Sequence, residues 1–184
     1  MTTELEILRA VANTFSISHE TREFYDELPE LLLSDDAWSK RFGRFSKLKR
    51  NASIGNELTQ VRDSLRCFIL REEGADGRLT ELLVEKGLHI GVMFHGSSVT
   101  AEAMVSNEGD VAGYLLCVAA NLIIKGEIVK LKICPDCRCA FIDKTRNSSK
   151  RWCGMTKGGP HGRACGTIAK VKAFRSRKAA AKQA

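Results

Sequence analysis

Four cysteines in the last third of the chain constrain it more than any other feature. Cys134-Pro135-Asp136-Cys137 is a C-x2-C knuckle, Cys153 follows after fifteen residues, and Cys165 after eleven more. The short turn inside the knuckle aims two sulfurs at one point, and the gap to the third cysteine is that expected between the halves of a structural zinc site. Four thiolates make a closed tetrahedral shell that suits zinc and leaves no position for a catalytic water. The expected cofactor is therefore one structural Zn2+. Two substitutions within this set stay open. Cys139 could replace Cys137, although the expected knuckle has Cys139 begin a strand pointing away from the metal. His161 could replace Cys165, which is favoured because it is expected to open a helix, whose positive end suits a thiolate. The spacing matches no iron–sulfur pattern.

The chain has 184 residues and seven cysteines. An odd count, with four cysteines in metal-like spacing, argues against a disulfide framework. Cys67, Cys117 and Cys139 sit in apolar contexts and are read as small buried hydrophobes. The opening Met-Thr-Thr-Glu-Leu-Glu lacks the basic flank and apolar core of a secretory signal. The longest apolar run, Leu115 to Ile124, is half the length of a membrane helix. These features give the expectation of a cytoplasmic protein without a membrane partner.

Charge divides the chain. Residues 130–184 carry 15 Lys or Arg against two acids, Asp136 and Asp143, for a net +13. Residues 1–129 carry 14 basic and 20 acidic residues, for a net −6. Such a break in sign marks two units with different partners, and the expected division is 1–129 and 130–184.

Periodicity assigns the first unit to an α+β class. Leu5, Leu8, Val11, Ala12 and Phe15 recur at helical spacing. Pro29 interrupts the next stretch, and Ser34 before Asp35 and Asp36 caps a short helix bearing Trp38 and Phe42. Ile54, Leu58, Val61, Leu65, Phe68 and Ile69 form a longer helical stripe ended by Gly74. A turn at Ala75-Asp76-Gly77 and a short helix from Leu79 to Lys86 follow. Leu88, Ile90, Val92 and Phe94 then alternate with His89, Gly91, Met93 and His95 as a half-buried strand, with Gly96-Ser97-Ser98 as the turn and 99–105 as the return strand. Asp110 caps a last helix with the stripe Val111, Leu115, Val118 and Leu122, closing at Gly126. His89 and His95 share a strand face but are about 20 Å apart at the usual rise, too far to share a metal, and are read as a solvated face. No nucleophile elbow, phosphate loop or carboxylate pair marks an enzyme.

In the second unit, Ala140-Phe141-Ile142 is read as one strand of a hairpin, Arg146–Ser149 as its turn and Lys150–Trp152 as its return. Phe141 or Ile142, together with Trp152, is expected to cover the metal. A Gly-rich loop at 154–162 leads to a helix from about Gly166. Its stripe Ile168, Val171 and Phe174 is expected to pack on the finger for two turns before the helix projects through Lys178 and Lys182. Lys144, Arg146, Lys150 and Arg151 at the hairpin, with Lys170, Lys172, Arg175 and Arg177 on the helix, are the candidate nucleic-acid contacts, since almost no acids balance them.

A knuckle, a hairpin and a helix that starts at a ligand follow the order of a treble-clef finger. The block from Cys134 through Asp143-x-x-Arg146-Asn147-x-Ser149-x-Arg151-Trp152-Cys153 to Cys165-Gly166 resembles the CGNR zinc-finger family over about the last 50 residues. The Ala12-Asn13-Thr14 run, the helix at 57–73, the hairpin and the helix before the finger resemble a shortened form of that family's N-terminal ABATE domain. The resemblance implies a stress-responsive transcription regulator whose first domain binds a ligand of unknown identity. Two departures stand out: Cys165-Gly166-Thr167-Ile168 replaces Cys-Gly-Asn-Arg, and the link between the third and fourth cysteines is lengthened.

The leading expectation is a zinc-dependent regulator that binds duplex DNA, its N-terminal unit sensing a small molecule or forming a homodimer. RNA binding through the same basic surface is the second expectation. A zinc-supported module for an acidic protein partner is the third.

Overall fold

The computed structural model describes residues 3–45, 47–50, 54–96, 98–106, 110–157 and 162–181. Helix α1 (Glu4–Ala12) is opened by Thr3, whose hydroxyl accepts from the Glu6 N–H while its own N–H donates to the Glu6 carboxylate. A two-stranded antiparallel pair follows, β1 (Phe15–Ile17) with β2 (Phe24–Asp26). Phe15 thus leaves the helix it was expected to join and stacks on Phe24, with ring centroids 5.8 Å apart. Pro29 sits in the first turn of α2 (Leu28–Leu33), where its missing N–H costs nothing. Ser34 caps α3 (Asp35–Phe42) by accepting from the Ala37 N–H, as expected.

The stripe from Leu58 to Leu65 is buried in α4 (Gly55–Leu70). That helix stops at Arg71, in the left-handed region at φ 57, not at Gly74. Gly74, at φ 68, instead precedes α5 (Ala75–Glu85), whose first turn is the Ala75-Asp76-Gly77 segment read as a loop. Strands β3 (His89–His95) and β4 (Ser98–Met104) form the expected hairpin, and Asp110 caps α6 (Val111–Ile124) by accepting from the Ala112 N–H. A single 3-10 turn at Ile128–Lys130 leads into β5 (Leu131–Ile133), which pairs antiparallel with β6 (Ala140–Ile142). Helix α7 (Cys165–Ala180) closes the described chain. Among the described residues no helix is long and apolar enough to cross a membrane.

One main core gathers Leu8 and Val11 of α1, Leu58, Val61 and Leu65 of α4, and Leu115, Leu116 and Leu122 of α6. Leu131, Ile133 and Ala140 of the β5–β6 pair belong to the same core, so these strands pack on α1 and α4.

The β3–β4 hairpin departs from its expected burial. Ile90, Val92 and Phe94 line one face, but Val92 is 62% and Phe94 78% exposed. The base of the hairpin is anchored where Ala103 exchanges hydrogen bonds with the Asn121 side chain and accepts from the Cys117 thiol. The alternating residues do form a strand, but among the described residues the hydrogen bonds from α6 reach the hairpin only at that base. His89 is exposed, and the side chain of His95 lies outside the described residues.

Candidate metal centre

The knuckle occupies the bend between β5 and β6. Strand β6 therefore pairs with the strand before the knuckle, not with Lys150–Trp152, which is irregular. The reason is local. Cys134 N–H donates to Cys139 O at 2.9 Å and Arg138 N–H to Cys134 O at 2.9 Å, closing a turn that feeds directly into the ladder. Arg138 bends the chain there in the left-handed region, at φ 58.

The 150–152 segment is held by a carboxylate in place of a ladder. Buried Asp143 accepts from the Lys150 N–H at 2.8 Å, from the Thr145 N–H at 2.9 Å and hydroxyl at 2.6 Å, and from the Lys132 ammonium at 2.8 Å. Lys132 also donates to the carbonyls of Ser148 and Lys150. Burial alone would raise the Asp143 carboxyl; the ammonium and the N–H groups outweigh it and hold it below the usual carboxylate range.

This scaffold brings Cys134, Cys137, Cys153 and Cys165 together, with all four sulfurs within 4.8 Å of one another. Cys137 and Cys153 sulfurs are 3.6 Å apart, and those of Cys153 and Cys165 3.7 Å. A zinc–sulfur bond of about 2.3 Å requires tetrahedral edges of about 3.8 Å, so the set fits that ion. Cys134, Cys137 and Cys165 are buried, while Phe141 and Trp152 pack against them as expected; Ile142 packs on the main core instead. The thiols also act on one another. Hydrogen bonding from Cys134 holds Cys137 far below the ordinary thiol value, the same kind of bond to Cys134 pushes Cys153 up, and burial pushes Cys165 up. Such a cluster holds four thiolates together only around a cation.

Cys165 is the first residue of α7, as expected. The helix start is tied to the segment after Cys153: Gly166 N–H donates to Gly154 O at 2.9 Å, and the Thr167 hydroxyl to Met155 O at 2.6 Å. A Cβ at position 166 would meet the Met155 sulfur at 2.2 Å, so glycine makes the room in which Met155 backs onto the helix. His161, the alternative fourth ligand, lies outside the described residues, as do Gly158, Gly159, Pro160 and Lys182. Cys67, Cys117 and Cys139 are half-buried, more exposed than expected, and Cys139 is not directed away from the centre: its sulfur is within 4.8 Å of Cys137's.

The α7 stripe does not pack on the finger. Only Cys165 and Gly166 are buried; Ile168 is 38%, Val171 42% and Phe174 60% exposed. Leu131, Ile133, Ala140 and Ile142 of β5 and β6 pack in the main core and Phe141 packs on the cysteines, so the apolar side chains of these strands are already engaged elsewhere. Lys144, Arg146, Arg151, Lys170, Lys172, Arg175 and Arg177 are exposed and Lys150 half-buried. Lys150 lies over the Phe141 ring and Arg151 over Trp152. Among the described residues no carboxylate pairs with any of these cations.

The residues that hold the knuckle from outside carry no periodic or spacing signal, and sequence reasoning missed them. Asn13 clasps Ala140, Ile17 N–H donates to Cys137 O at 2.9 Å, and Arg66 donates to Arg138 O at 3.0 Å. Arg22 donates to Asp136 O at 2.7 Å, and Arg163 to the Asp136 carboxylate at 2.6 Å, which keeps that carboxyl below its ordinary value. The one hint was Asn13, inside the Ala12-Asn13-Thr14 run.

A mixed helix–strand chain with a closed, all-thiolate cluster of this geometry contains a zinc-binding module, with four cysteines positioned to bind one metal ion. Residues 130–178 match the family model described as CGNR zinc finger, and the match agrees with a single structural zinc. No curated protein matches the chain.

Proposed function

We propose that the C-terminal unit is a treble-clef finger that grips the nucleic-acid backbone, and that the chain is a DNA-binding regulator with an N-terminal sensing unit. The observation that carries this reading is the set of cations Lys144, Arg146, Lys150, Arg151, Lys170, Lys172, Arg175 and Arg177, unpaired with carboxylates among the described residues and mounted on a zinc-fixed frame beside an acidic unit. The order of hairpin knuckle, irregular loop and helix opening at Cys165 supports the treble-clef assignment. Backbone contacts position a protein without naming bases. With about six phosphates engaged, affinity for random duplex falls with salt at a log–log slope near about −5. A gel-shift series across salt tests this, with Arg146→Glu/Arg151→Glu as the charge-reversed control. A slope near zero, or binding unaffected by the reversal, is the result that removes the proposal.

Sensing is supported by a groove of about 1130 Å³ between the α4–α5 corner and β5. Phe68, Leu70, Ile128 and Ile133 line it together with Lys150 and Arg151, so an apolar ligand there would touch two of the proposed contact residues. The exposed face of β3–β4 is the surface that would support pairing with a second copy.

Phe174 favours a second reading. It is an exposed aromatic among Lys170, Arg175, Arg177 and Lys178, a combination suited to stacking an unpaired base of RNA. Competition between duplex DNA and single-stranded RNA at fixed salt separates the two.

A further inference from the structure

Beside the four-cysteine centre lies a second group of metal-type donors. A ring nitrogen of His19 and the sulfurs of Cys137 and Cys139 all fall within 4.8 Å of one another. We propose that these three residues form a second metal site, which shares Cys137 as a bridging thiolate and takes a thiophilic transition ion of the zinc class.

The site is built from two segments locked together. His19 lies in the turn between β1 and β2, which Ser18 closes by donating its N–H to Glu23 O and accepting from the Arg22 N–H. Hydrogen bonds on either side of His19 pin that turn to the knuckle: Ile17 N–H to Cys137 O at 2.9 Å, and Arg22 to Asp136 O at 2.7 Å. On the other wall, Cys139 is fixed through its carbonyl, which accepts from Cys134 N–H, and through its neighbour Ala140, held by Asn13. The donors are thus placed by contacts that do not involve the donor atoms themselves, the kind of outer support that metal sites require.

Donor chemistry selects the ion. Two sulfurs and an imidazole suit zinc or its softer relatives and are poor ligands for magnesium or calcium. Charge favours occupancy. Four thiolates around one Zn2+ leave two negative charges, and the nearest guanidinium of α4, Arg66, is committed to the carbonyls of Ala12, Phe15 and Arg138. A thiolate bound to one zinc keeps lone pairs for a second. Cys137 is buried, whereas His19 and Cys139 are half-buried. The three donors therefore leave a fourth position on the more accessible side of the centre, where the ion exchanges more readily than the enclosed one.

Native mass spectrometry and 113Cd NMR of the full chain with excess Cd2+ test the site. The expected result is two bound ions with two distinct resonances, the second ion being the one first removed by a mild chelator. Cys139→Ser and His19→Ala should each retain the first ion and lose the second. Retention of the first also separates failure of this site from failure of the four-cysteine centre. Saturation of the wild-type chain at one ion would overturn the proposal and leave Cys139 as a thiol donor to Cys137. Survival of the second ion in the Cys139→Ser/His19→Ala double variant would overturn it equally.

Discussion

Asn13 and Ala140, 127 positions apart, hold each other in both directions: the Asn13 carboxamide accepts from the Ala140 N–H at 2.6 Å and donates to its carbonyl at 3.0 Å. The pair joins the C-cap of α1 to the first residue of β6, so the strand that leaves the knuckle is seated on the N-terminal helix layer.

Removing this clasp should be costly. Asn13→Ala leaves an N–H and a carbonyl without their partner, a loss of about 1–3 kcal/mol. Asn13→Asp keeps the acceptor for the N–H but turns the second contact into repulsion. Urea unfolding is expected to rank wild type above both variants. Equal midpoints for wild type and Asn13→Ala would show that water replaces the clasp.

Loss of one zinc ligand should undo the finger. The cluster around the metal has few apolar side chains of its own, chiefly Phe141 and Trp152, so the ion supplies most of its folding free energy. Cys153→Ser is expected to lower zinc from one per chain to substoichiometric levels and to expose the 144–177 segment to trypsin. Because Leu131, Ile133 and Ala140 sit in the main core, the rest of the chain should also lose stability. Unchanged zinc content and unchanged proteolysis would be incompatible with the assigned ligand set.

Arg62 is 2% exposed and meets Asp26 through two hydrogen bonds, of 2.5 and 2.9 Å. Burial alone would raise the Asp26 carboxyl, but hydrogen bonding to Arg62 outweighs it and lowers the carboxyl from its ordinary value. A carboxyl depressed in the folded state stabilises fully above its unfolded pKa of about 3.9, and that contribution disappears as pH falls through the folded value. Asp26→Asn takes the two-bond partner from a buried guanidinium, which keeps Asp63 and Thr14, and should cost about 2 kcal/mol near neutrality, less than a fully enclosed pair because Asp26 keeps some solvent contact. Denaturation of both proteins at pH 7 and at successively lower pH is expected to show the gap begin to narrow near about pH 4 and close only below the folded value of Asp26. A gap that persists there would assign the loss to packing.

Phe174 separates stability from binding. Exposed as it is, Phe174→Ala should change the unfolding free energy by less than about 0.5 kcal/mol. If the side chain stacks on an unpaired base, the same change should weaken single-strand binding by about 1–3 kcal/mol and leave duplex binding nearly untouched. Thermal melts and paired binding isotherms check the two halves. A large drop in the melting temperature would mean that the helix stripe packs after all.

Sequence alone determined the features governed by neighbours along the chain. The four-cysteine spacing identified the metal centre, Ser34 and Asp110 announced their helices through side chains that cap the next turn, and alternation marked β3. Charge counting separated an acidic stretch from a basic one. Tertiary structure decided which apolar surfaces meet. Nothing in the local pattern of Ile168, Val171 and Phe174 distinguishes a covered stripe from an open one, because the answer depends on whether β5 and β6 still have apolar surface to offer after packing on α1 and α4. The pairing of β6 with β5, the buried Arg62 and Arg66, and the Asn13 clasp belong to the same class. Each depends on contacts between residues far apart in the chain, and the competition among possible partners is settled only when the whole core is assembled.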